Sequence, residues 1–103
     1  MKVDFIQEEK GALRVVINEE ISRENVRELR DGIDVRILEV KPRVLVLDIS
    51  KIVTVDSCAL GFVVGRCMLM KELGVKVRVV ATKTAIDLLK LAKVQKIARL
   101  EEA

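Results

Sequence analysis

An α/β domain is what this chain of 103 residues predicts, with a small mixed, mostly parallel sheet, an N-terminal hairpin and about three packed helices. Three observations carry the prediction. Val44 to Leu47 is an unbroken run of β-branched and long aliphatic residues, the pattern of a strand covered on both faces. From residue 12 onward, short strand-like segments alternate with segments of helical period, the order that produces parallel pairs joined by right-handed crossovers. Half of the residues are hydrophobic in a chain long enough for one core and too short for two, so residues 1–103 form one domain.

Each element has its local reason. Val3 to Gln7 and Ala12 to Asn18 read as two short strands, and the polar Glu8-Glu9-Lys10-Gly11 between them, with glycine at its end, is a hairpin turn. Ser22 is placed as the cap of a first helix, with Glu24 in its first turn. Val26, Leu29, Ile33, Ile37 and Val40 then recur at steps of three or four and give it one apolar face. Pro42 stops it before the central strand. A second helix is expected from Cys58 to Leu73, ending at Gly74, and it is apolar almost all round through Leu60, Phe62, Val63, Val64, Met68 and Leu69. Such a helix is either largely buried or keeps a face for a partner. Gly61 and Gly65 on one side of it are expected to pack tightly against the sheet. Val75 to Ala81 alternates as a strand nearer an edge with one wet face. Thr82 caps a third helix holding Ile86, Leu88, Leu89 and Leu91, and Ile97 to Leu100 reads as a short last strand.

Composition narrows the chemistry. The chain has no histidine, which excludes imidazole metal sites and any Ser-His or Cys-His catalytic unit. Cys58 and Cys67 lie nine residues apart in one expected helix. That separates them by roughly 13 Å, beyond the reach of a disulfide, so both are read as small buried apolar residues. No apolar run reaches the length of about 18 residues needed for a membrane span, and Met-Lys-Val-Asp-Phe lacks a signal-peptide stretch, so cytoplasmic residence is expected. The net charge of +3 hides a basic second half: residues 66–99 hold nine Lys or Arg against Glu72 and Asp87. With no aromatic stacking residue and no binding motif among these cations, they are read as a solvated face or a protein contact rather than a nucleic-acid surface.

The most informative stretch follows the central strand. Asp56-Ser57 stand just before Cys58-Ala59-Leu60, a hydroxyl beside a carboxylate at the positive end of a helix. In open α/β sheets ligands and chemistry collect outside the carboxyl ends of the strands. Taken alone, Ser57 reads either as a helix cap or as a phosphate carrier.

Leu47-Asp48 at a strand end, Val55-Asp56-Ser57-Cys58-Ala59-Leu60-Gly61 at a helix start, Gly65-Arg66, and Lys96-Ile97-Ala98-Arg99-Leu100 near the end together resemble the STAS domain. The likeness is to the small bacterial anti-sigma-factor antagonists, whose signature is Asp-Ser-Ser-Gly-Leu-Gly. It spans the whole chain, with Cys58 and Ala59 in place of the signature's second serine and glycine, and with Ser22 where many members carry an aspartate.

The resemblance implies a STAS fold and no enzymatic activity or cofactor of the chain's own. It implies that the unphosphorylated protein binds an anti-sigma factor that is also a serine kinase, which frees a sigma factor for transcription. Phosphorylation at Ser57, using the kinase's ATP, would end that binding, and a serine phosphatase would restore it. Asp56, Ser57, Cys58, Ala59, Phe62 and Ser22 are expected on the partner surface, Phe62 reading equally as a core residue of so aromatic-poor a chain. A monomer is expected when free. Lys83, Lys90 and Lys93 of the third helix are read as a rim from their spacing and charge. A non-switching STAS subunit of a larger signalling or lipid-transport assembly would show the same pattern.

Overall fold

The computed structural model describes residues 2–103. Five strands form one sheet in sequential order: β1 (Val3–Gln7), β2 (Ala12–Ile17), β3 (Val44–Asp48), β4 (Lys76–Ala81) and β5 (Arg99–Glu102). β1 and β2 are the expected antiparallel hairpin, and every later pairing is parallel. The hairpin turn takes the left-handed backbone at Lys10 (φ 62°) and Gly11 (φ 75°). Gly11 is required there, since a Cβ would lie 2.9 Å from the Arg43 Cδ.

Three helices make the crossovers, α1 (Val26–Val40), α2 (Ser57–Leu73) and α3 (Lys83–Leu91). Right-handed crossovers that always step to the next strand put successive helices on the same face of the sheet. The strands agree with this. Leu13, Val15, Ile17, Leu45, Leu47, Val77, Val79 and Ala81 point to that face and join Leu29, Ile33, Ile37, Phe62, Val63, Met70, Ile86 and Leu89 in one aliphatic core.

The opposite face has no helix over it. Val46 is nevertheless fully buried there, and its register neighbours are Arg14 on one side and Arg78 on the other. Arg14 pairs with Asp48 and with Glu8, each at 2.8 Å, and Arg78 pairs with Glu101. These side chains lay their stems along the sheet and keep their charges in water. The second cover of the central strand is thus a lattice of arginine ion pairs.

Several boundaries differ from the sequence expectation. Ser22 does not cap α1, which starts four residues later. The Ser22 carbonyl accepts from Val26 N at 2.9 Å and its own N–H donates to Asn25 Oδ1 at 2.7 Å, so a polar turn precedes the helix. β4 lies nearer the edge than β3, as expected, with only β5 outside it. Its alternation reflects the uncovered sheet face. β5 begins at Arg99 because a 3-10 turn over Val94–Lys96 buries Val94 first. Gly61 and Gly65 do not pack tightly. No atom would lie within 4 Å of a Cβ at either, because both face away from the sheet. In α3 only Ala85, Ile86 and Leu89 are buried, while Leu88 and Leu91 are exposed.

Candidate functional site

β3 delivers the chain to the carboxyl edge of the sheet at Asp48, and residues 49–56 then lead into α2. Two apolar anchors fix this loop, Ile49 and Ile52, both buried in the core. Asp48 closes its start by accepting from Ser50 N at 3.0 Å and from Ser50 Oγ at 2.6 Å. Burial works to raise the Asp48 carboxyl, but the bonds from Ser50 and Arg14 outweigh it and hold the group below the ordinary carboxylate range.

The end of the loop is tied to the neighbouring β2–α1 segment. Both oxygens of Glu20 accept backbone bonds, Oε2 from Val53 N and Oε1 from Thr54 N, each at 3.0 Å. Lys51 Nζ donates to Asn18 Oδ1 at 2.9 Å in the same seam. The segment that holds Ser22 is therefore laced beside the one that leads to Ser57, with Val53 at the tip, 79% exposed.

Asp56 caps α2. Its backbone is extended (φ −96°, ψ −170°), its Oδ1 accepts from Ala59 N at 3.0 Å, and its carbonyl accepts the first helical bond from Leu60 N at 2.9 Å. The cap is thus Asp56 and not Ser57, which is the first helical residue with its side chain exposed. From there the solvent side of α2 runs through Gly61, Val64 and Met68, flanked by Leu60 and Gly65. It carries no charge until Lys71 and Glu72. Met68 is half exposed and Gly61 exposed, while Leu60 and Val64 are partly buried against the core.

The expected contact set is redrawn by burial. Asp56 and Ser57 are exposed and Cys58 is half-buried. Ala59 and Phe62 are not surface residues, since both belong to the core, on the sheet side of α2. Their helical angles put them opposite Ser57. The Arg66 guanidinium stands 5.3 Å from the Phe62 ring centroid. Arg66 itself is buried, with its Nε 2.9 Å from Asp34 Oδ1 of α1. The two atoms are close enough to pair by charge yet out of hydrogen-bond alignment. Burial raises the Asp34 carboxyl, opposed by Arg66, and burial lowers the Arg66 guanidinium, opposed by Asp34. Cys67 is buried and free, its thiol pushed up to about 11 by desolvation, so it stays protonated.

The rim also narrows. α3 starts on the same edge as α2, where Thr82 Oγ1 accepts from Ala85 N at 3.2 Å. Lys83 sits at that edge, 3.9 Å from Asp87, whereas Lys90 and Lys93 lie at the far end of the helix. Glu20 and Val53 are the site residues that the sequence did not point to, and Gly61, Val64 and Met68 were read from it without being assigned to the contact face. Spacing from Ser57 by four, seven and eleven was the available signal for Gly61, Val64 and Met68.

The family model of the STAS domain matches residues 6–102. The chain belongs to the STAS domain family. Solved STAS structures superpose over nearly its whole length. TM1081 of Thermotoga maritima, provisionally assigned as an anti-sigma factor antagonist, gives a TM-score of 0.85 at 17% identity over 98% of this chain and 86% of its own. An anti-sigma factor antagonist of Mycobacterium paratuberculosis gives 0.77 at 20% identity, over 96% and 85%. The phosphorylated form of Bacillus SpoIIAA gives 0.74 at 13% identity, over 98% and 90%. At these identities the likeness establishes the STAS fold. No curated protein sequence matches this chain significantly.

Proposed function

We propose that this STAS domain is an anti-sigma-factor antagonist whose docking surface is switched by phosphorylation of Ser57. The observation that carries the reading is the exposed serine at the head of an uncharged helix surface, where Gly61 and Met68 are exposed and Leu60 and Val64 partly so, behind a cap that another residue supplies. An apolar surface of this kind buries readily against a partner. A phosphate on Ser57 adds about −1.5 to −2 charge beside Asp56, at the edge of the area to be desolvated. Docking would then bury a doubly charged group, so the complex dissociates.

The modified domain itself stays folded. Phosphate at the first helical position faces the positive end of the dipole, and the helix already has its cap. The partner is an anti-sigma factor with serine kinase activity. It transfers the γ-phosphoryl group of ATP to the Ser57 oxygen, and a serine phosphatase removes it. The domain needs no catalytic group of its own for this role.

The test is reconstitution with the kinase-type anti-sigma factor encoded in the same genome. Phosphopeptide mapping is expected to place phosphate on Ser57, and native mass spectrometry to show the complex only before modification. Phosphate on Ser22, Ser50 or Thr54 with Ser57 unmodified would sink the reading. A complex that persists after full Ser57 phosphorylation would favour the scaffold-subunit role instead.

A further inference from the structure

The opposite pole of the molecule holds a groove of about 920 Å³ that the Ser57 reading does not use. It opens at the amino ends of the parallel strands, where α1 and α2 finish. Lys10, Lys41, Arg43 and Lys76 line it, all exposed, and no carboxylate among the described residues does. Lys10 comes from the hairpin turn, Lys41 ends α1, Arg43 precedes β3, and Lys76 opens β4.

The backbone holds these cations together. Arg43 N donates to Gly11 O at 2.9 Å and Lys76 N to Arg43 O at 3.4 Å, so three adjacent strand starts are joined. Adjacent strands are separated by about 4.8 Å. The Arg43 stem lies across Gly11, in space that a Cβ would fill.

Neutralising helix ends does not account for this many cations. The Ile37 carbonyl already accepts from Lys41 N and the Met70 carbonyl from Val75 N, and Lys10, Arg43 and Lys76 stand outside both helices. Like charges gathered in a concave site focus potential and raise the local concentration of anions. The groove is also apolar on one wall, where Leu38 and Leu73 are each about half exposed.

We propose that this groove binds a small amphiphilic polyanion, with a compact phosphorylated head among the four cations and an aliphatic body along Leu38 and Leu73. Concavity favours a discrete molecule over a flat bilayer, and the surplus positive charge favours a multiply charged head over a neutral one. The binding is independent of Ser57 and of any partner at the other pole.

Monomeric octyl phosphate titrated into isotope-labelled protein tests it, followed by amide chemical shifts. The expected result is saturable movement confined to residues 10–11, 37–44 and 73–76. Inorganic phosphate, the bare head, and octyl glucoside, the neutral body, should each bind at least tenfold more weakly. Combining Lys41→Asn, which tolerates the left-handed backbone, with Lys76→Gln should weaken octyl phosphate about tenfold while the melting temperature holds. Should that pair melt early, Lys10→Asn alone serves as the second variant and should weaken binding measurably. Octyl glucoside or inorganic phosphate binding as tightly as octyl phosphate would overturn the proposal. So would shifts centred on the Ser57 pole, unchanged affinity in the folded variants, or a response to phosphatidic acid vesicles alone.

Discussion

Ser57 could have capped α2, but Asp56 takes that task and leaves the serine hydroxyl free of it. Because the aspartate makes the cap bond to Ala59 N, the serine is thermodynamically dispensable. Ser57→Ala should therefore stay within about 0.5 kcal/mol of the parent in denaturant melts, and in the proposed role it should bind the kinase without release. Asp56→Ala should lose about 1 kcal/mol with the cap, read in the same melts. The reverse ordering would mean that the serine holds the helix. Phe62 and Met68 give a second contrast six residues apart. Phe62→Ala empties core space and should cost about 3–5 kcal/mol, so it reports on folding alone. Met68→Glu leaves the melt unchanged and should raise the partner's dissociation rate in surface-binding kinetics.

Among the elements, α2 is the one whose sequence says least about its own orientation. Its residues are apolar on every side, so no period separates a core position from a contact position, and on that account Phe62 read equally as a contact and as a core residue. Only the sheet decides, by taking Ala59, Phe62, Val63, Cys67 and Met70. The strands and α1 were legible because their periods are clean and their ends carry Gly11, Pro42 and Gly74. The start of α1 was not, since the turn around Ser22 depends on a bond from its own backbone to the Asn25 side chain. Pairings across 32 to 34 residues, Arg66 with Asp34 and Glu20 with Val53 and Thr54, leave no local trace in the sequence.

The α1–α2 ion pair carries its own prediction. Arg66→Ala strands the partly buried Asp34 and should cost roughly 1–3 kcal/mol. Arg66→Met combined with Asp34→Leu should recover most of that loss, because a buried pair without aligned hydrogen bonds is little better than an apolar one. Chemical denaturation of the three variants measures both. A double variant as unstable as Arg66→Ala would show that the pair itself stabilises the packing.

On the scale of the whole molecule, the uncovered sheet face makes stability depend on acid. The Asp48 carboxyl lies below its ordinary value in the folded state, so its contribution is complete above about pH 4 and is lost as pH falls through the depressed value. Glu101, held down first by its hydrogen bond from Arg78, acts in the same sense. Asp34 runs the other way. Its raised carboxyl means that stability declines as pH rises through the window just above about pH 4. Asp48→Asn should accordingly flatten the acid limb of the stability curve, and Asp34→Asn should remove the decline above it. Melting temperatures recorded between pH 2 and pH 6 separate the two.

The sheet's topology also fixes how the molecule can be held. β1 runs opposite to its neighbour, with Val3 beside Ile17, and β5 ends with Glu102 beside Ala81. The first and last described residues therefore emerge on the Ser57 side of the sheet, at its two outer strands. A tag, linker or fused domain at either end would crowd the approach to Ser57 from the flanks. A sensor chip coupled through either end should register slower capture of the partner than one coupled through a cysteine placed at Lys41, on the other side of the molecule.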